Sequence, residues 1–155
     1  MSATIHLFFD PICPWCYIGK VRLDRALMQT KLHTDIIMYP FQLNPDMVEN
    51  GVDRTQYLEN KFGGKDGVAR VYGHIKDTGQ SDGISFRFDL IVKTPNTVKA
   101  HMLVAYVQDV QKDVVPDLVA SLYRAYFEQG VDIGNEEALL AIASAHMDDA
   151  MLTAT

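Results

Sequence analysis

Cys13 and Cys16 are the only cysteines in the 155-residue chain, three positions apart, with Pro14 and Trp15 between them. Random placement of two cysteines gives this spacing in about one such chain in eighty. In such a pair one thiolate attacks a disulfide, and the second displaces whatever the first has captured, closing a small disulfide. That chemistry needs an exposed, easily ionised first sulfur with the second one helical turn behind it. The flanking residues supply the frame. Ile18, Val21, Leu23, Ala26 and Leu27 recur at near-helical spacing through about Lys31. Pro14 suits the first turn of that helix, where its missing N–H leaves no bond unmade. Free N–H groups and the positive end of the helix favour the thiolate of Cys13, the expected nucleophile, with Cys16 as the more buried resolving thiol.

The neighbours of the pair each have two readings. Pro14-Trp15 offers no cation beyond the helix end, which predicts a milder oxidant than a pair with histidine between its cysteines. Asp10 opposes thiolate formation if its carboxylate points inward, and is a turn or cap residue before Pro11 if it does not. Trp15 is either a partly exposed shield or substrate contact, or a core aromatic. The pair could also be half of a zinc site. The five histidines, His6, His33, His74, His101 and His146, show no second paired spacing, so no metal is expected.

The elements that must position the cysteines follow from periodicity. Ile5 to Phe9 reads as a buried strand bounded by Asp10-Pro11, and Asp35 to Gln42 as a second strand ending near Pro40. With the helix between them they form a βαβ unit, parallel and right-handed. From residue 44 onward the pattern is helical, with candidates at Arg54 to Phe62, Val68 to Asp77, Asn96 to Gln111, Pro116 to Gln129 and Glu136 to Met147. One stretch dissents: Ile84, Phe86, Phe88, Leu90 and Val92 alternate with other residues, which predicts a strand, although an extended segment pinning aromatics into a helical layer has the same pattern. Two or three strands are few for so many helices. Either the chain is shortened, or a second copy or another protein completes the sheet edge, or the sheet is smaller than such a fold leads one to expect.

Composition narrows the classes. Apolar residues make up 48% and charged residues 22%, an ordinary globular balance. A net charge of −6 has the wrong sign for reading a nucleic-acid backbone or an anionic membrane. No apolar run approaches the roughly 18 residues of a spanning helix, and the N-terminus lacks the pattern of a secretory signal. The expectation is a cytoplasmic protein with neither nucleic acid nor membrane as partner.

The segment Phe8-Phe-Asp-Pro-Ile-Cys-Pro-Trp-Cys-Tyr-Ile-Gly-Lys20 resembles the active-site region of the DsbA-like thioredoxin-fold oxidoreductases. The likeness is to their FrnE-like branch, related to 2-hydroxychromene-2-carboxylate isomerases and kappa-class glutathione transferases. Phe41-Gln-Leu-Asn-Pro45, Thr94-Pro-Asn-Thr97 with Ala100-His101, and Ala125-Tyr-Phe127 through Gly130 to Gly134 carry the resemblance along the chain to about residue 147. It implies an α/β fold: a thioredoxin-like βαβ with a large helical insertion. Residues 1–43 would be the first part of the thioredoxin domain, 44–147 the insertion and 148–155 the start of the return. The family's cis-proline segment and later strands are not found before Thr155. The resemblance also implies that Asn96 and His101 line the site, against the plainer readings of a helix cap and a satisfied, partly buried histidine. Gly130 and Gly134 read as helix-end punctuation. Related isomerases and transferases are expected to carry serine where Cys13 stands. The retained cysteine points to thiol–disulfide exchange with a disulfide-containing protein or a small thiol such as glutathione as partner, and no required cofactor. The alternatives are a glutathione-dependent isomerase or transferase acting on an aromatic substrate, suggested by Phe86 and Phe88, and a non-enzymatic interaction module.

Overall fold

The computed structural model describes residues 3–147. Strand β1 (Ala3–Phe9), helix α1 (Pro14–Thr30) and strand β2 (Thr34–Pro40) form the expected βαβ unit. The strands pair in parallel, from Ala3 opposite Thr34 to Phe9 opposite Pro40. β2 has no strand on its other side among the described residues. Its backbone is instead met at Met38 by one side chain: the Met38 N–H donates to Gln108 Oε1 at 2.7 Å, and Gln108 Nε2 donates to the Met38 carbonyl at 3.1 Å. A helix side chain thus supplies what a neighbouring strand otherwise would.

After β2 the chain is almost wholly helical. β3 (Val52–Asp53) leads into α2 (Arg54–Phe62) and α3 (Lys65–Ser81). Next come β4 (Lys93–Thr94), α4 (Val98–Gln111), α5 (Val115–Gln129) and α6 (Glu136–Ser144). β3 and β4 form a two-residue antiparallel ladder. Local chemistry sets the helix ends. Asp53 caps α2 by accepting the Gln56 N–H, and Asn135 caps α6 by accepting that of Ala138. Gly130 closes α5 at φ 70°, in the left-handed region that glycine adopts without strain. The expected helix at 68–77 is longer at both ends, and that at 136–147 ends at Ser144.

The strand expected over 84–92 is corrected. The segment is extended as far as Arg87, then makes a short 3-10 turn at Phe88–Leu90. The turn breaks the alternation, so that Ile91 is buried while Val92 is 75% exposed. The Arg87 N–H donates to the carbonyl of Phe127 at the end of α5, not to a strand. Period two here reports one-sided burial of an extended segment that lacks a ladder partner.

A single core joins the two parts of the chain. Phe9, Tyr17, Ile18 and Met38 from the βαβ unit lie in one buried cluster with Phe86, Val107, Leu118, Leu122, Tyr123 and Phe127. Tyr17 stacks on Tyr123 at 5.0 Å and meets Phe86 edge-on at 5.9 Å, which fixes α1 against α5 and the 84–92 segment. The expected return at 148–155 lies outside the described residues. Among the described residues there is no cis peptide bond.

Candidate active site

β1 ends in a tight turn that delivers Cys13 to the mouth of α1. The Cys13 N–H donates to the Asp10 carbonyl at 2.9 Å, and Cys13 itself occupies the cap position, with Pro14 opening the helix. Its Sγ accepts the Cys16 N–H at 3.3 Å, so the sulfur sits where a serine or aspartate oxygen commonly satisfies the free donors of a first turn. Both cysteines are reduced and half-buried.

The two thiols share a hydrogen bond, so they ionise as a pair. The bond from the Cys13 thiol lowers Cys16 to about 7, against desolvation and the nearby Asp10 charge, which raise it. Cys13 is pushed up, first by the same bond and then by burial, while the N–H groups of Cys16 and Trp15 pull it down. The sequence assigns the easily ionised sulfur to Cys13; the electrostatics place the first charge on Cys16.

Asp10 points inward. It is 1% exposed, its Oδ2 accepts the Leu43 N–H at 2.8 Å, and its Oδ1 lies 3.5 Å from His101 Nε2. Its carbonyl accepts the Cys13 N–H in the turn, and its inward carboxylate raises the pKa of Cys16. His101 comes from α4, is buried and meets the Phe9 ring edge-on at 5.3 Å. It therefore backs the site through Asp10 and lies away from the solvent side of the cysteines. Tyr123 stands in the same buried layer. Its hydroxyl has no hydrogen-bond partner among the described residues, and its pKa is raised chiefly by burial and further by the nearby Cys16, Cys13 and Asp10.

Asn96 is placed elsewhere. Its Nδ2 donates to the Met47 carbonyl at 2.7 Å and its Oδ1 accepts the Val98 N–H at 2.9 Å, pinning the 44–50 loop to the start of α4. It is not the helix cap, a position held by Thr97, and it does not line the groove beside Cys13. Phe86 is in the core, which withdraws it as a contact for an aromatic substrate.

Cys13, Pro14 and Trp15 form one wall of a groove of about 310 Å³. Trp15 is 46% exposed and lies 5.7 Å from the His74 ring of α3, in keeping with a shield and not a core aromatic. The opposite wall includes Arg54, Tyr57, Leu58, Lys61 and Phe62 of α2. The sequence reading missed this wall, although its i, i+3, i+4, i+7, i+8 spacing was a legible signal of a single helix face. A larger depression of about 530 Å³, with Lys93, Asp132 and Glu136 in its lining, does not include the cysteines. No group of three or more His, Cys, Asp or Glu side chains is placed to hold a metal among the described residues, and no helix among them is long and apolar enough to cross a membrane.

The fold and the paired thiols at a helix mouth define a thioredoxin-like protein. The DSBA-like thioredoxin domain model matches residues 4–154, and the chain belongs to that family. Among solved structures it is similar to a probable DsbA oxidoreductase from Streptomyces coelicolor, at TM-score 0.81 and 19% identity over 97% of this chain and 66% of that one. It is also similar to the cytosolic disulfide reductase DsbM from Pseudomonas aeruginosa, at TM-score 0.68 and 19% identity over 97% and 68%. The glutathione-bound form of DsbM matches at 0.60 and 16% over 97% and 69%. The chain thus spans about two thirds of the length of these structures. No curated protein matches the sequence.

Proposed function

We propose that the protein is a thiol–disulfide oxidoreductase working through Cys13 and Cys16. The supporting observation is the Cys13 sulfur at the α1 cap, open to a groove, with a hydrogen-bonded second thiol one turn behind. The Cys13 thiolate attacks one sulfur of a substrate disulfide, forming a mixed disulfide and releasing the other half as a thiolate that takes up a proton. Cys16, as thiolate, then attacks the Cys13 sulfur, releasing the second half of the substrate and leaving a Cys13–Cys16 disulfide. Two electrons pass to the substrate. Two molecules of a small thiol reset the pair, leaving as their own disulfide, so glutathione would be a co-substrate and no bound cofactor is required. Similarity to a reductase solved with glutathione and named as cytosolic supports this choice and the cytoplasmic expectation.

Turbidity from insulin reduced by dithiothreitol tests the reading. The chain should shorten the lag, Cys13→Ser should abolish the effect, and Cys16→Ser should accumulate a mixed disulfide visible by mass. A wild-type chain with no effect on the lag would overturn it.

A further inference from the structure

Among the described residues, Arg54 is a buried cation without a carboxylate in ion-pair contact. At 5% exposure, its Nη1 donates to the Tyr126 hydroxyl at 3.0 Å, and its guanidinium lies 5.1 Å from the Tyr72 ring centre and 5.8 Å from that of Tyr126. Its Nη2 has no acceptor among the described residues. Arginine is seldom buried without an anionic partner, and aromatic faces offset only part of the lost hydration. Arg54 lines the groove beside Cys13, and Lys61 lines the same groove from the exposed end of the same helix face. Seven residues place the two backbone positions about 10 Å apart along the axis of α2. The groove lining contains no Asp or Glu, in a chain with 20 acidic residues and net charge −6. A positive, acid-free recess on an acidic protein, directly beside a reactive sulfur, selects for anions. Its volume of about 310 Å³ is at the lower end of the range for small-molecule pockets.

We infer that this groove is a receptor for small thiols and disulfides bearing carboxylates, which Arg54 and Lys61 bind while the ligand sulfur lies against Cys13. Only the last clause rests on the proposed exchange chemistry. Calorimetric titration of the reduced chain with S-methylglutathione, which has two carboxylates and a blocked sulfur, and with its diethyl ester separates the two claims. The acid should bind at least tenfold more tightly than the ester. Arg54→Met and Lys61→Met should each weaken the acid at least fivefold, Arg54→Lys should recover part of the loss, and ester binding should not change. Lys61 is exposed, so its variant reports binding even if Arg54→Met fails to fold. Equal binding of acid and ester, no binding of either, or unchanged affinity in Lys61→Met and in a folded Arg54→Met would overturn the inference. So would an acidic pentapeptide without sulfur binding as tightly as S-methylglutathione. Acid-selective binding without any effect on insulin would sink the redox reading and leave the receptor standing.

Discussion

At the scale of single residues, the cysteines illustrate how position and pairing combine. Position gives Cys13 the free donors of α1, and pairing lets one proton leave the two sulfurs early, with Cys16 at about 7. Alkylation of the reduced chain by iodoacetamide should therefore rise about tenfold between pH 6 and 8 and then flatten, where an isolated thiol would still be climbing. A midpoint near 8.5 would withdraw this account. Asp10→Asn keeps an acceptor for the Leu43 N–H but removes the charge that raises Cys16, so the alkylation midpoint should move to lower pH. The lowered group also links to stability. Its folded pKa lies below the ordinary thiol value, so its contribution grows as pH rises from about 7 toward 8.5 and is lost as pH falls through 7. Thermal melts of the reduced chain should show this trend relative to Cys16→Ser.

At the scale of elements, two contacts carry more than the periodicity reveals. Gln108 satisfies both backbone groups of Met38, so Gln108→Leu leaves a buried strand edge unmatched. It should cost about 1–3 kcal/mol in urea unfolding; a cost below a few tenths would show that solvent replaces the amide there. Gly130 ends α5 at φ 70°, where an added Cβ would lie 2.5 Å from the Leu90 carbonyl oxygen. Gly130→Ala combines that clash with backbone strain and should cost about 2 kcal/mol or more, a fall of roughly 4–8 °C in Tm. An unchanged melt would mean that the 84–92 segment gives way. Of the two readings that alternation over 84–92 allows, the strand fails and the extended segment holds, because alternation records which side of an extended chain is buried, whereas a strand also needs a ladder partner. The partner here is the carbonyl of Phe127, some forty residues on.

At the scale of the whole molecule, the βαβ unit and the helices share one aromatic core through Tyr17, Phe86, Tyr123 and Phe127. They should unfold together. Trp15 is the chain's only tryptophan and belongs to the α1 mouth, so its fluorescence and the far-UV circular dichroism of the helices should trace the same urea transition. Separated midpoints would show two independently folding parts.

The amino-acid sequence by itself determined the βαβ unit, the helical texture beyond it and the place of the cysteine pair at the mouth of α1, because these rest on local spacing. Apolar periodicity sets strands and helices, and Pro14 with the Cys13–Cys16 interval marks a helix mouth. The tertiary structure alone decided which way Asp10 faces, that His101 backs it, that Asn96 serves a loop, and that Arg54 is buried beside Cys13. Each depends on residues tens of positions apart being brought within a few ångströms. Burial, lost hydration and the availability of a partner are properties of that meeting, and no spacing along the chain encodes them.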